Sequence, residues 1–195
     1  MTAQRLPAFE RFIGDMQAIW VSDPDPDSRM RKTRVMLQQL VKDPALLAHS
    51  KSWPLTVGQN LLLYEDEQHG FVINAVVRPP GYKGGIHDHA HAFVLYAVMD
   101  GTEKLERYDR VDDGSKPGYA EIKLSHITTG TNGVVDLVPP FSIHAEQGGD
   151  GRSVALIVRS ERLVGKVLQN GYDMNAKTVV QRSGPKQVPF ELTAG

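Results

Sequence analysis

Apolar residues open the chain at helical intervals. Phe9, Phe12, Ile13, Met16, Ile19 and Trp20 follow the i, i+3, i+4, i+7 rhythm that buries one stripe of a helix and leaves the rest wet. The run Asp23-Pro24-Asp25-Pro26-Asp27-Ser28 stops that helix and supplies caps for a second one. Val35, Met36, Leu37, Leu40 and Val41 are the expected buried side of the second helix. Asp43-Pro44 sets a capping carboxylate before a proline whose fixed φ suits the first helical position, which predicts a short third helix through Leu46 and Leu47. These stripes are expected to cover the protein's own core, with binding of a partner as the alternative.

From about Asn60 the period shortens. Apolar runs at Asn60–Tyr64, Phe71–Arg78, His91–Val98, Lys104–Tyr108, Glu121–Ile127, Val134–Val138 and Val154–Val158 are separated by turn residues such as Pro79-Pro80-Gly81, Asp113-Gly114 and Gly148-Gly149-Asp150-Gly151. Many short strands at such intervals predict an all-β sandwich or barrel. Asp100-Gly101 between two runs predicts a hairpin. After Gly165 the apolar content thins, and Gly184-Pro185 and Val188-Pro189 suggest a surface-hugging tail. The expected division is a helical extension over 1–52 packed on a barrel over 53–165, followed by a C-terminal tail over 166–195.

Composition narrows the partners. The 195 residues are 41% hydrophobic and 23% charged, which describes a globular chain with a sizeable core. With 22 Lys+Arg against 23 Asp+Glu and no basic block, the charge pattern argues against nucleic acid or an anionic membrane and for a small molecule. There is no cysteine, so disulfides and thiolate metal sites are excluded and any metal falls to His, Asp or Glu. Met1–Pro7 leads into periodic sequence without an apolar segment, and no run is long enough to span a bilayer, so a cytoplasmic location is expected.

The chemistry concentrates in His87-Asp88-His89-Ala90-His91. Imidazole is the commonest protein ligand for transition metals, and a strand aims alternate side chains at one side. At least two of these rings therefore converge if the segment is extended. Asp88 points to the opposite face and is expected to be structural, whereas His49, His69 and His126 stand alone and are expected to be structural or solvated. Gly84-Gly85 is not a phosphate loop, because no helix or lysine-threonine pair follows it; a tight approach into the strand is the expected role.

Spacing around the cluster resembles a known family. Gly81 is followed by five residues and then His87-Asp88-His89, with Gly101 eleven residues later; downstream, Gly133, five residues, Pro139, four residues and His144 follow. These segments resemble the two motifs of the cupin superfamily, G-x5-H-x-H…G and G-x5-P-x4-H, over about Gly81 to Gly148. The resemblance implies an all-β fold, a cupin double-stranded β-helix (a jelly-roll barrel) behind an N-terminal helical extension. It also implies that His87, His89 and His144 share one metal at the barrel mouth. His91 lies on the same face by alternation but outside the two-histidine motif, and is expected in the pocket or behind a ligand. Val94 stands where the family carries a glutamate ligand, Phe141 where it carries glycine, and Gly148 where it carries asparagine. Three neutral imidazoles leave a divalent ion its full charge and open positions for substrate and O2. That set suits Fe(II), while Zn, Ni, Cu or Mn also bind such donors.

Among cupins, the three-histidine set, the helical extension and the glycine fourteen residues after the first histidine are similar to the thiol dioxygenases, the cysteine and 3-mercaptopropionate enzymes. With a two-residue insertion, Gln59 matches the position where those enzymes place an arginine or glutamine for the substrate carboxylate. Their Ser-x-His-x-Tyr relay has no counterpart in Ala155-Leu156-Ile157-Val158-Arg159. Arg159 offers a guanidinium fork for a carboxylate instead, or is a surface residue past the strand's end. Tyr96, on the ligand-bearing strand, is either core or a pocket hydroxyl, and Glu146, two residues past His144, is an extra ligand or base if it points the same way. The expected activity is that of a non-haem iron dioxygenase, an oxidoreductase that adds O2 to a small thiol carboxylate or related chelating molecule. A C–C-cleaving dioxygenase, an isomerase, a lyase and a non-catalytic ligand-binding cupin stay open, as does the oligomeric state, a homodimer included.

Overall fold

The computed structural model describes residues 5–163 and 165–193. Helix α1 (Pro7–Ser22) buries Phe9, Phe12, Ile13, Met16 and Trp20, the predicted stripe. Helix α2 (Pro26–Leu40) is capped by Asp25, whose carboxylate accepts from the backbone N–H groups of Asp27 and Ser28. Its buried residues are Met30, Thr33, Leu37 and Leu40, a clean i, i+3, i+7 series. Val35 falls off that stripe and is exposed, a correction to the expected face. Helix α3 (Pro44–Ser50) starts on the Asp43 carboxylate, which accepts from Leu46 N–H.

Twelve strands are described: β1 (Gln59–Glu65), β2 (Val72–Arg78), β3 (Ile86–His87), β4 (Val94–Asp100), β5 (Glu103–Arg110), β6 (Ile122–Gly130), β7 (Val135–Val138), β8 (Ile143–Gly148), β9 (Ser153–Arg159), β10 (Gln169–Asp173), β11 (Thr178–Arg182) and β12 (Lys186–Pro189). They form two six-stranded sheets, ordered β12-β1-β2-β9-β4-β7 and β11-β10-β3-β8-β5-β6. Pairing is antiparallel except between β1 and β12. The fold is the expected all-β barrel, two sheets wound as a double-stranded β-helix, with helices at its N-terminus.

The first sheet is covered on both faces. Leu61, Ile73, Ala75, Leu95, Leu156 and Val158 pack outward against α1 and α2, and Val76, Val94, Tyr96, Val98, Ala155 and Ile157 fill the barrel. That is why β2, β4 and β9 read as nearly continuous apolar runs rather than alternating ones. Each fully buried side chain of the size of Phe9, Met30 or Leu156 contributes about 1.5–3 kcal/mol relative to exposure, so the helices are integral to the barrel. No helix among the described residues is long and apolar enough to cross a membrane.

Two expectations change. Asp100-Gly101 does not join a hairpin: β4 pairs with β7 and β9, and β5 with β6 and β8. The turn carries the chain from one sheet to the other. Gly101 takes φ +77°, and a Cβ there would run into the Arg152 carbonyl and lie 2.9 Å from Ser153 Cα. The segment after Gly165, expected as a surface tail, contributes β10 and β11 to one sheet and β12 to the other. Two of its strands, β11 and β12, are sheet edges, and all three alternate weakly, which hides them from a hydrophobic pattern.

Candidate metal centre

The register of the second sheet sets His87 on β3 directly opposite His144 on β8. Beyond β3 the chain leaves the strand, and His89 turns in beside them, 4% exposed. Ring centroids stand 4.4 Å apart for His87 and His144, 4.8 Å for His87 and His89, and 4.9 Å for His89 and His144. One nitrogen from each ring lies within 4.8 Å of the others. Ligand bonds of about 2.1 Å allow at most about 4.2 Å between two donors, so the rings close by roughly half an ångström on a shared ion.

Each Nδ1 has a partner behind it. His87 Nδ1 lies 2.9 Å from the Gly85 carbonyl and His144 Nδ1 2.9 Å from the Ser142 carbonyl, so both donate backward and leave Nε2 free. The side-chain amide of Gln169, on β10, lies against His89 Nδ1. A ring that ligates through Nε2 carries its proton on Nδ1, and the amide then turns its oxygen to that proton. His144 Nε2 is buried and has no hydrogen-bond partner, an orphan that a metal ion would satisfy. Burial pushes His144 down to about 4, with repulsion from His87 adding to it, and burial likewise drives His89 well below its ordinary range. Both rings are therefore neutral at neutral pH, the form that binds metals. The three histidines fit a divalent ion.

His91 is not among them. Its ring is exposed and its Nε2 pairs with Glu161 at 2.9 Å, a correction to the pocket expectation. Strict alternation fails because β3 ends at His87 and Ala90 adopts φ 48°, turning the chain before position 91. Asp88 is structural, accepting from Ala90 N–H, Asn170 N–H, the Asn170 amide and the Tyr172 hydroxyl. Phe141 takes φ 60° while its N–H bonds the Ala90 carbonyl at 2.6 Å, which accounts for the glycine that the resembling motif prefers there.

A cavity of about 310 Å³ opens onto His87 and His89, and Gln59, Tyr96, Glu146 and Arg159 all line it. Arg159 is 3% exposed, so it is no surface residue. Its Nη1 donates to the Asn74 amide oxygen, and Nη2 reaches the Asn60 side chain at 3.1 Å, while Nε has no partner. Burial lowers this guanidinium to about 10, and Arg78 adds repulsion, yet it stays charged at neutral pH. Glu146 Oε1 lies 3.4 Å from His144 Nε2. Burial raises the Glu146 carboxyl, but His144, His87, Arg78 and Arg107 outweigh it and hold it below the ordinary carboxylate range. The Tyr96 hydroxyl is engaged, donating to Glu103 at 2.7 Å, while Ser153 donates to the same carboxylate at 2.6 Å.

Neither a known family model nor a curated protein sequence matches the chain. Solved structures similar to it include a recombinant oxalate oxidase in complex with glycolate, 19% identical over 47% of this chain and 42% of that one, with a TM-score of 0.38. The cupin domain of Schizosaccharomyces pombe Cnp3 is 12% identical over 53% and 60% of the two chains, with a TM-score of 0.41. KdgF from Halomonas sp. is 15% identical over 52% and 76%, with a TM-score of 0.40. The chain covers less than two thirds of the oxalate oxidase and Cnp3 chains.

The sequence does not single out Gln169, Arg78, Tyr82 or Arg182, all of which line the cavity. Arg78 had a signal: it shares the inward alternation of Val76 on β2, where an apolar strand ends in a charge. Gln169 and Arg182 belong to the weakly patterned C-terminal strands and carry none.

Proposed function

We propose that the chain is an Fe(II)-dependent dioxygenase of the thiol dioxygenase type, acting on a small thiol carboxylate. The observation that carries this reading is the pairing of three convergent histidines, two of which line the cavity, with the buried, incompletely partnered guanidinium of Arg159 in that cavity. His87, His89 and His144 would hold an iron(II) ion, which would supply a site for a sulfur donor and the electrons that activate O2. Arg159 and Gln59 bind the carboxylate and orient the sulfur toward the histidines. Glu146, ionised beside His144 Nε2, takes the thiol proton at its carboxylate. Val94 and Ile157 wall the cavity with apolar surface and limit water. The net reaction is RSH + O2 → RSO2H, in which sulfur is oxidised, O2 is reduced, and both oxygen atoms reach the sulfur.

A second reading keeps the centre and changes the chemistry to C–C cleavage, isomerisation or lysis. It is favoured by the inward face of β9, where Ala155, Ile157 and Arg159 offer none of the hydroxyl, imidazole or phenol groups of the thiol dioxygenase relay. Anaerobic reconstitution with Fe(II), followed by O2-uptake assays on thiols, diketones and hydroxy acids, separates the two. The proposal expects uptake with thiol carboxylates and one sulfinate per O2. Uptake with diketones alone, or none with any compound, overturns it.

A further inference from the structure

The cavity holds more positive charge than one carboxylate requires. Arg78, Arg159 and Arg182 line it, against the single carboxylate of Glu146. Among the described residues none of the three arginines forms an ion pair with a carboxylate. For Arg159 and Arg78, buried and half-buried, a guanidinium without a counter-ion is costly, and so is a buried donor left unmade; Arg182 is exposed. Nε of Arg159 and Nε of Arg78 are both buried with no partner. These groups are set to receive acceptors from outside the chain.

The three arginines reach the cavity from well-separated backbone positions. On the β2–β9 pair Arg159 lies opposite Val72 and Arg78 opposite Ser153. Their backbones are thus six residues apart along the strands, about 20 Å at strand rise. Both side chains line the same cavity. The Arg78 guanidinium lies over the Tyr82 ring, 4.1 Å from its centroid, which holds it in place. Arg182 comes from the other sheet. Its guanidinium lies 3.5 Å from the Cβ position of Gly85 and would be displaced by any side chain on Gly171, the residue paired with His87. Gly85, just before β3, and Gly171, on β10, therefore leave a bed for Arg182 beside the first metal ligand.

We infer that the substrate carries two carboxylates: one docks on Arg159 and the other on Arg78 and Arg182, with the metal-binding donor between them. This deepens the proposed function and rests on it for the donor at the metal. Guanidinium groups delivered from three separate strands fit two charges on one molecule, so a short dicarboxylate matches this layout better than a phosphate, whose charges sit at one point.

The test uses the full chain loaded with Zn(II), which occupies the histidines without reacting with O2, and repeats it after chelation. Calorimetric titration compares succinate, butyrate (its analogue with a methyl in place of one carboxylate) and inorganic phosphate. The inference expects succinate to bind about 10–100-fold more tightly than butyrate, from one additional charge-assisted contact. Arg182→Ala, at an exposed edge position, should cut that ratio at least tenfold, as should Arg78→Gln. Equal binding of succinate and butyrate, stronger binding of phosphate, or a ratio untouched by both substitutions overturns it. Its failure is distinguishable from failure of the thiol reading. Sulfinate formation from monocarboxylate thiols with no succinate preference refutes only the second carboxylate. A succinate preference in a protein that oxidises no thiol refutes only the thiol chemistry.

Discussion

Gln169 offers the sharpest single perturbation, because it links the C-terminal strand β10 to the centre. Its side chain is 3% exposed and its amide is the partner of His89 Nδ1. Replacing it with leucine keeps the bulk and removes the acceptor. His89 is itself buried, so the proton on Nδ1 is left without a partner, at a cost of about 1–3 kcal/mol. The ring then gains by rotating or by moving its proton to Nε2, and either change takes the metal-facing nitrogen out of use. Loss of such an outer partner weakens metal affinity about 10–100-fold, or roughly 1.4–2.7 kcal/mol. Zinc competition against a fluorescent chelator at fixed pH reads this directly, with thermal melting to confirm that Gln169→Leu is folded. Gln169→Glu retains an acceptor and should hold zinc as tightly as the parent. If Gln169→Leu binds zinc with unchanged affinity, the amide does not orient His89 and the reasoning fails.

Other predictions follow from the same geometry. His91→Ala should leave metal stoichiometry unchanged and cost under about 1 kcal/mol in urea denaturation, because its pair with Glu161 is solvent-exposed; lost metal would restore it to the centre. Gly101→Ala should lower Tm by roughly 4–8 °C, from about 2 kcal/mol of left-handed strain and close contact at the turn between the sheets. An unchanged melt would show that the turn relaxes freely. In the metal-free protein, His144 is held at about 4 against an ordinary 6.5, so between those values the unfolded chain binds a proton that the folded one refuses. Stability from this residue is full above about 6.5 and drains as pH falls toward 4. The difference in urea midpoint between the parent and His144→Gln should therefore change across that window, and a flat difference would contradict burial as the cause.

What the sequence disclosed divides along physical lines. Helix stripes and caps were legible because one residue in three or four carries the signal and Asp25 and Asp43 cap locally. The strands buried on both faces were legible as apolar runs. β8 was not legible as a strand, because its inward residues are His144 and Glu146, polar for the sake of the site. The histidine spacing located the three rings, but alternation was carried too far: β3 is two residues long, so His91 points to solvent. Gln59 and Arg159 do face the cavity. Arg182 and Gln169 reach it only through pairing of C-terminal strands with distant partners, and no local pattern encodes that.

The central claim is that His87, His89 and His144 jointly hold one metal ion. Iron K-edge X-ray absorption on the anaerobic protein loaded with one equivalent of Fe(II) tests it most directly. The account predicts a shell with three imidazole ligands; a shell with two imidazoles or fewer would contradict it.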